Sequence, residues 1–264
     1  YGDCIEELDW STGVILDTLK ELKLEQRTLV IFTSDNGAPR IPANRPQKGR
    51  FGERGNGGDN GPLRAGKGTT YEGGVRVPAV AWWPGTVPAG KTVGELASTL
   101  DLFPTLANLA DAALPADRVY DGRDISPLLR GATDRLASRP LFHYFGVHLQ
   151  AVREGDWKLF VPIDAHPRPQ PQSLWFEHQP QLFERQHRLW PKPTLYNLPE
   201  DIGETKDVAA VNPDIVQRLS RLARDFDAAL QRDKRPRLFI DGPKPPAPQQ
   251  VRKPEEDLSA WRKR

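Results

Sequence analysis

Two segments of the chain carry side chains that could bind a metal ion and an anion. Asp35 and Asn36 follow an apolar run, and further along Lys67 stands between two glycines at the start of 66–76, Gly-Lys-Gly-Thr-Thr-Tyr-Glu-Gly-Gly-Val-Arg. Carboxylate and amide oxygens are hard donors that suit Ca²⁺ or Mg²⁺. A lysine ammonium is a compact charge that suits a sulfate or phosphate oxygen, and glycines let the backbone approach a ligand closely. The pattern predicts a divalent cation with an anion bound to it.

Each segment also has an ordinary structural interpretation. Asp, Asn and Gly all favour turns, so residues 35–37 alone predict a turn at least as readily as a metal site. Lys67 alone fits a solvated loop lysine. Gly66 to Thr69 superficially resembles a phosphate-binding P-loop, but the strand–loop–helix order of that motif is absent from this sequence. The elements and motifs that flank the two segments are needed to distinguish between these interpretations.

The elements around the two segments predict an α/β fold. Apolar residues between 5 and 22 recur at helical spacing, which indicates an amphipathic helix. Residues 28–34 are a short, continuously apolar run, typical of a strand buried on both faces in a parallel sheet. Ligand sites in open α/β sheets lie beyond the carboxyl ends of strands, which is where Asp35 and Asn36 stand. The long aperiodic stretch 37–74 is of a kind that is usually functional or disordered.

The rest of the chain predicts two further regions. Residues 77–83 form a second apolar strand, and 101–112 a helix capped by Ser98 or Thr99. After residue 139 come short strands, a hairpin turn at 154–156 and an amphipathic helix at 214–230. We predict a partial mixed or parallel sheet with flanking helices, then a small antiparallel α+β unit and a Pro- and charge-rich tail. The predicted boundaries are 1–138, 139–242 and 243–264.

Composition gives no support for nucleic acid or a membrane as a partner. The chain has 264 residues, of which 38% are hydrophobic and 27% charged, and its net charge is +2. This fits a globular protein and gives no argument for nucleic acid or an anionic membrane. No apolar stretch approaches the roughly 20 residues of a membrane-spanning helix. Cys4 is the one cysteine, so no internal disulfide can form, and with no leader pattern and no methionine we expect a piece of a longer protein.

The order of these segments resembles the sulfatase family, arylsulfatases in particular, within the alkaline phosphatase superfamily. The N-terminal half carries the resemblance through five motifs: Ser-Asp-Asn-Gly at 34–37, the lysine loop at 66–76, Trp-Pro-Gly at 83–85, Leu-Asp-Leu-Phe-Pro-Thr-Leu at 100–106 and Asp-Gly-Arg-Asp-Ile-Ser-Pro-Leu-Leu at 121–129. The C-terminal part matches in outline, with Trp-Lys at 157–158 and Leu-Tyr-Asn-Leu at 195–198 before Pro-Glu-Asp-Ile-Gly-Glu. The insertion at 167–193 has no clear counterpart.

The resemblance implies an alkaline-phosphatase-like sulfatase fold and hydrolysis of a sulfate ester. Asp35 and Asn36 would be two ligands of the divalent cation, Ca²⁺ with Mg²⁺ as the alternative. Lys67 would be the catalytic residue that binds the sulfate and steadies charge on its oxygens. His178 lies roughly where arylsulfatases place an additional substrate-binding histidine, and Glu72 and Arg76 would hold the loop. These roles require the Asp35–Asn36 pair and Lys67 to converge.

The family resemblance also implies substrates and a compartment. Sulfated small molecules, sulfolipids or sulfated sugars would be the substrates, and no nucleic acid partner or membrane span is expected. Relatives are mostly periplasmic, secreted or lysosomal. An oligomer is compatible with the sequence, which contains nothing that decides it.

The sequence departs from the family at the nucleophile. A sulfatase uses a formylglycine made from the cysteine of a Cys-x-Pro/Ser-x-Arg motif, whereas Cys4 is followed by Ile-Glu-Glu-Leu inside the predicted helix. The aspartate pair that completes the metal site, and the lysine and histidines that precede this region in the family, are absent from this sequence too. We therefore expect an N-terminal half outside this chain to supply the formylglycine, and this chain alone to be inactive.

Two alternatives remain at this stage. A phosphatase or phosphodiesterase of the same superfamily would share the carboxylate-rich metal site, but such chains commonly place a histidine after the Asp-Asn pair, where Gly37 stands here. Gly37 therefore favours a sulfatase. The other alternative is a non-catalytic fragment that acts only as a binding module.

Overall fold

The computed structural model describes residues 2–39, 58–145, 148–162 and 191–233. The helices of the described residues are α1 (Gly2–Glu21), α2 (Glu72–Val75), α3 (Leu102–Leu109), α4 (Ser126–Leu129) and α5 (Pro213–Asp233). The strands are β1 (Val30–Thr33), β2 (Ala79–Trp82), β3 (Pro140–Phe145), β4 (His148–Glu154), β5 (Trp157–Phe160) and β6 (Thr194–Asn197). Three short 3₁₀ turns occupy Glu25–Arg27, Thr99–Asp101 and Ala209–Val211.

One compact unit ends at Asp227, and residues 228–233 are the end of helix α5. The predicted boundaries at 138 and 242 stay predictions. The insertion at 167–193, apart from its last three residues, and the tail at 243–264 lie outside the described residues.

The strand that precedes Asp35 pairs with the next strand in the chain. Strands β1 and β2 form a two-stranded antiparallel sheet, with Val30 opposite Trp82 and Thr33 opposite Ala79. The expectation of a parallel strand buried on both faces is wrong for these residues, since Phe32 is 40% exposed and Val80 59% exposed. An apolar run predicts a strand but not the direction of its neighbour, and two strands alone cannot cover both of their faces.

The C-terminal strands form a four-stranded antiparallel sheet in the order β3-β4-β5-β6, as predicted for this part of the chain. Gly155, which has a φ of +56°, lies in the two-residue loop that joins β4 to β5. A positive φ is costly for residues with a Cβ, which explains the glycine in this hairpin. Helix α5 covers one face of the sheet, where Leu219 packs against Leu159 and Leu195.

The opposite face of the same sheet is also buried. Because side chains alternate along a strand, the immediate neighbours of the α5-facing residues point the other way. Phe160 and Tyr196 belong to a second apolar cluster on that side, together with Tyr71 from the lysine loop. The four-stranded sheet is therefore the support on which the lysine loop lies.

The start of helix α3 is fixed by one buried carboxylate. The Ser98 hydroxyl accepts a hydrogen bond from Leu100, and Asp101 accepts one from the Ser98 backbone at 2.8 Å, which makes a capping box. Ser98, one of the two predicted caps, thus caps the 3₁₀ turn Thr99–Asp101 that leads into α3, and the cap position of α3 itself is Asp101. Asp101 also accepts from the Arg123 backbone at 2.9 Å and from Arg139 at 2.5 Å. One carboxylate thus links three parts of the chain.

Helix α1 confirms the predicted amphipathic helix but packs little. None of its residues is buried; Leu16 and Leu19 are half-buried, and the exposed apolar residues include Ile5, Leu8, Trp10, Val14 and Ile15. Cys4 is exposed on the same helix. Within the described part of the chain, no helix combines the length and apolarity that a membrane span requires.

Candidate functional site

Asp35 and Asn36 form a turn directly after β1. The Ser34 hydroxyl donates a hydrogen bond to the Asn36 carbonyl at 2.8 Å, and the Asn36 amide nitrogen donates to the Asp35 carboxylate. Asp35 is exposed and Asn36 half-buried. The segment is therefore a turn, and it also presents a carboxylate and an amide side by side.

Gly37 is a point of close approach between the two loops. Its backbone N–H donates to the Gly74 carbonyl at 3.1 Å. A Cβ at position 37 would lie 1.8 Å from the Gly73 carbonyl oxygen, so no side chain fits without a shift of the backbone. A histidine in this place, as expected for the phosphatase alternative, is incompatible with this packing.

Lys67 lies on the loop that abuts the Asp35–Asn36 turn. Its backbone N–H donates to the Ala38 carbonyl at 3.1 Å, and its side chain is exposed. Asn60 ties the same segments together, because its side chain accepts from Ala38 at 2.7 Å and donates to Ala38 and Ala65 at 2.9 Å. The structure thus brings the two predicted segments together, while the roles of their side chains stay predictions. Sequence reasoning missed Asn60.

The two glycines that follow Glu72 complete this junction. A Cβ on Gly73 would lie 2.4 Å from the Arg64 carbonyl oxygen, and one on Gly74 would lie 2.2 Å from the Thr69 carbonyl oxygen. The backbone of the lysine loop is therefore folded tightly on itself. The Gly-Gly pair in the motif is required by this close packing rather than by flexibility.

The side chain of Glu72 is buried in a cluster of charges that we call the Glu72 cluster: Glu72, Arg153, Lys158 and Glu204. The Glu72 carboxylate is 2.9 Å from the Lys158 ammonium and 2.8 Å from the Arg153 guanidinium. Lys158 is also 3.1 Å from Glu204. The other Glu204 oxygen accepts a hydrogen bond from the Glu72 backbone N–H at 2.7 Å. Both the side chain and the backbone of Glu72 are held, as the expected structural role requires.

Burial and charge act in different proportions on these groups. Burial alone would raise the pKa of Glu72. The positive charges of Lys158 and Arg153 lower it by a larger amount, so the pKa lies below its ordinary value. Burial dominates at Glu204, whose pKa is raised. Burial and the neighbouring Lys158 lower the pKa of His143 to about 3, so this histidine is neutral at ordinary pH.

Further contacts attach the lysine loop to the four-stranded sheet. The Thr70 hydroxyl donates to the Gln150 side chain on β4 at 2.8 Å, and both residues are buried. The Tyr71 ring lies 4.8 Å from the ring of Phe160. The loop is thus fixed to the sheet by a buried hydrogen bond and an aromatic contact.

Arg64 adds a third kind of attachment. Its guanidinium lies 4.1 Å above the Tyr71 ring, donates to the Tyr196 hydroxyl at 3.1 Å and also donates to the Glu204 carbonyl. Sequence reasoning missed Arg64, Gln150 and Glu204. Their partners are far away in sequence. Arg64 lies beside a quoted motif and Glu204 ends another, whereas no quoted motif pointed to Gln150.

A cavity of about 470 Å³ opens next to the turn. Its polar lining includes Asp35, Glu72, Arg76, His143 and Arg153, and the rest is mostly apolar. The cavity therefore connects Asp35, one of the two predicted metal ligands, to the Glu72 cluster.

The oxygen donors of the turn fit only part of a metal site. Ca²⁺ takes six to eight oxygen ligands, and a carboxylate and an amide are of the right type. Among the described residues, no group of three or more His, Cys, Asp or Glu side chains lies together in a way that could hold a metal ion. His178 lies outside the described residues, so its predicted contact with substrate stays a prediction.

Comparison with known proteins agrees with this geometry. The Sulfatase family model matches residues 1–112, and the model for the C-terminal region of aryl-sulfatase matches residues 137–242. Steryl-sulfatase of Mus musculus is 50% identical over 164 residues, which are 61% of this chain and 25% of that protein. N-acetylgalactosamine-6-sulfatase of Canis lupus familiaris is 48% identical over 158 residues, 60% of this chain and 28% of that protein. The chain thus spans about a quarter of the length of these curated relatives.

A solved structure from a Bacteroides thetaiotaomicron locus for glycosaminoglycan metabolism shares the fold. It matches with a TM-score of 0.65 and 29% identity, over 84% of this chain and 43% of that one. This confirms the predicted α/β class. Because the two family models together match most of the sequence, and because the motifs at 34–37 and 66–76 meet in space, the chain belongs to the sulfatase family.

Proposed function

We propose that the protein containing this chain is a sulfuric ester hydrolase whose sulfate site is built partly from the Asp35–Asn36 turn and the Lys67 loop. The observation that carries the proposal is the backbone contact between these segments, where Ala38 accepts hydrogen bonds from Lys67 and Asn60. Two loops with cationic and oxygen-donor side chains that are joined in this way suit one bound anion. Membership of the sulfatase family supports a sulfate ester as that anion.

Lys67 binds the sulfate and stabilises charge on its oxygens as the ester bond breaks. Asp35 and Asn36 hold a divalent cation, Ca²⁺ or Mg²⁺, which when bound supplies further positive charge to the sulfate oxygens. These residues supply too few oxygens for the whole coordination shell. The remaining ligands and the formylglycine nucleophile come from an N-terminal half that is not in this sequence, and this chain alone is inactive.

The relatives indicate the class of substrate. The two relatives named above are a steryl-sulfatase and an N-acetylgalactosamine-6-sulfatase. The structural neighbour comes from a locus for glycosaminoglycan metabolism. A sulfate ester of a small molecule, lipid or sugar is therefore the proposed substrate. The apolar part of the cavity beside Asp35 would suit a lipid or aryl group as well as a sugar face.

Turnover of a simple aryl sulfate by the full-length protein tests the proposal. We expect hydrolysis of p-nitrophenyl sulfate that requires a divalent cation. Replacing Lys67 by alanine removes a charge that acts on the transition state, so kcat should fall about 10²–10³-fold. The matched control is Lys206→Ala, another exposed lysine on a different loop, which should keep wild-type kcat.

Three results would contradict the proposal. Faster turnover of p-nitrophenyl phosphate than of the sulfate would favour the phosphatase alternative. No turnover of either ester by a folded, metal-loaded protein would favour a binding module. Unchanged kcat in Lys67→Ala would remove the proposed role of Lys67 even if the protein is a sulfatase.

A further inference from the structure

We propose that Lys158 is a positioning residue for Lys67: it anchors the lysine loop to the four-stranded sheet and so sets where the sulfate-binding ammonium stands. The claim rests on the proposed function and goes beyond it, because it assigns to the C-terminal sheet a part in the chemistry of the N-terminal loops. Lys158 can set the position of Lys67 without a direct contact between the two side chains. The coupling runs through Glu72.

The placement of Lys158 is unusual for a lysine. It lies on β5 with 0% of its surface exposed, whereas lysine is almost never fully buried unless it is paired. Its ammonium is 2.9 Å from a Glu72 oxygen and 3.1 Å from a Glu204 oxygen. Lys158 therefore joins the lysine loop to the segment that follows β6.

The cluster is balanced in charge. Glu72 and Glu204 contribute the two carboxylates, and Lys158 and Arg153 contribute the two cations. Without the Lys158 ammonium, two buried carboxylates would face each other with the Arg153 guanidinium beside them and the half-exposed Arg76 guanidinium 3.8 Å from Glu72. Such a site relaxes by taking up a proton or by moving a carboxylate toward water. Glu72 can move because it begins the short helix α2 at the end of the lysine loop, whereas Arg153 and Lys158 stand on strands of the sheet.

A movement of Glu72 would be transmitted directly to both halves of the proposed site. Gly73 follows Glu72 in the chain and packs with its carbonyl against Gly37, next to the Asp35–Asn36 turn. Gly74 packs against the carbonyls of Gly66 and Thr69, on either side of Lys67. The positions are fixed by backbone contacts that leave no free space, so a shift of Glu72 cannot be absorbed locally.

Stability alone is a weak explanation for this cluster. Buried ion pairs are often replaced by neutral or apolar residues without loss of stability, whereas removal of one partner alone is costly. A role in geometry predicts a different result: a neutral cluster would fold, but it would hold the loop less well. The two explanations can therefore be separated by experiment.

The test compares three variants of the full-length protein by thermal unfolding, turnover and hydrogen exchange. Lys158→Met leaves the carboxylates unbalanced, and the quadruple variant Glu72→Gln, Arg153→Met, Lys158→Met, Glu204→Gln removes every charge of the Glu72 cluster. The matched control is Arg218→Ala, which removes an ion pair with Glu154 on the same sheet but away from the lysine loop. Amide exchange is followed in the peptide covering 64–74 and in one covering β4.

We expect the neutral quadruple variant to unfold within a few degrees of the wild type. In it and in Lys158→Met, exchange at 64–74 should rise at least tenfold while exchange in β4 stays unchanged. With p-nitrophenyl sulfate, kcat should fall at least tenfold with KM changed less than threefold, because Lys67 acts on the transition state. Arg218→Ala should match the wild type in each measurement.

Wild-type exchange at 64–74 and wild-type kcat in the folded quadruple variant would overturn the proposal. So would a rise in exchange that is equal in β4 and in the loop, since the cluster would then be general packing. A wild-type protein without sulfate turnover would contradict the proposed function instead, and the exchange measurement would still decide the anchoring.

Discussion

The two sheets of the molecule differ in what covers them. The β1–β2 sheet, which leads into the Asp35–Asn36 turn, has two strands and leaves Phe32 and Val80 exposed. The four-stranded sheet is buried on both faces, by α5 on one side and by the lysine loop on the other. Within the described residues, the sheet next to the predicted metal ligands therefore has few buried contacts. The loop that carries Lys67, in contrast, packs against a sheet with a buried core on both faces.

This difference shows where the geometry of the proposed site is determined. The lysine loop has a buried hydrogen bond, an aromatic contact and the Glu72 cluster to fix it. The turn after β1 is held mainly through its backbone contacts to that loop, at Gly37 and Ala38. The turn thus takes its position from the loop, and the loop takes its position from the C-terminal sheet.

A matched pair of phenylalanines tests the comparison with the largest expected effect. Phe160 is 0% exposed between Tyr71 and Tyr196, whereas Phe32 lies on β1 and is 40% exposed. Phe160→Ala should lower the free energy of unfolding by about 3–5 kcal/mol, since it opens a cavity that the sheet cannot close. Phe32→Ala should cost about 1 kcal/mol. Chemical denaturation of both variants measures the difference, and equal losses would show that the two sheets are equally well packed.

The sequence predicted the elements better than their arrangement. The apolar run at 30–33 predicted β1, but its antiparallel partner and its exposed face depend on which strands are available beside it. The helix at 214–230 and the hairpin at Gly155 were predicted correctly, because each depends on local periodicity or on one turn residue. Direction and burial depend on contacts that a local pattern does not contain.

Some residues of the candidate site could likewise be predicted from the sequence, and others could not. Asp35, Asn36 and Lys67 were selected from residue types and from the family resemblance, and the structure brings their segments together through the Ala38 carbonyl. Lys158 looked like an ordinary polar residue in a hairpin strand, and Glu204 like the end of a turn. Their burial is created by pairing between distant segments, so no spacing rule could identify them.

The junction between the turn and the loop gives the next largest expected effect. Gly37→Ala places a Cβ 1.8 Å from the Gly73 carbonyl oxygen, so the two loops must separate. We expect a loss of about 1–3 kcal/mol in unfolding free energy, as for other overpacked sites, together with a loss of sulfate ester turnover. Gly94→Ala is the control, because a Cβ there meets nothing within 4 Å and its φ is not positive. Full activity in Gly37→Ala would mean that the loops need not touch.

The smallest expected effect concerns the pH dependence of the four-stranded sheet. His143 on β3 is half-buried, but its Nε2 is buried and has no hydrogen-bond partner among the described residues, and the charges of Lys158, Glu72 and Arg153 act on the imidazole. Its pKa is lowered from 6.5 to about 3, so the unfolded chain takes up this proton first as pH falls, and stability declines below pH 6.5. Between pH 6.5 and 5 the loss from this group should be roughly 2 kcal/mol, at about 1.4 kcal/mol per pH unit.

Denaturation curves of wild type and His143→Leu at pH 6.5 and pH 5 measure this loss. The variant lacks the titrating imidazole, so its stability should fall less over that interval by roughly the same 2 kcal/mol. Glu72 and Glu204 remain in both proteins, and their titration largely cancels in the difference. Parallel curves for the two proteins would show that the imidazole takes up a proton in the folded state, and the face of the four-stranded sheet that holds the Glu72 cluster would then be open to water rather than closed.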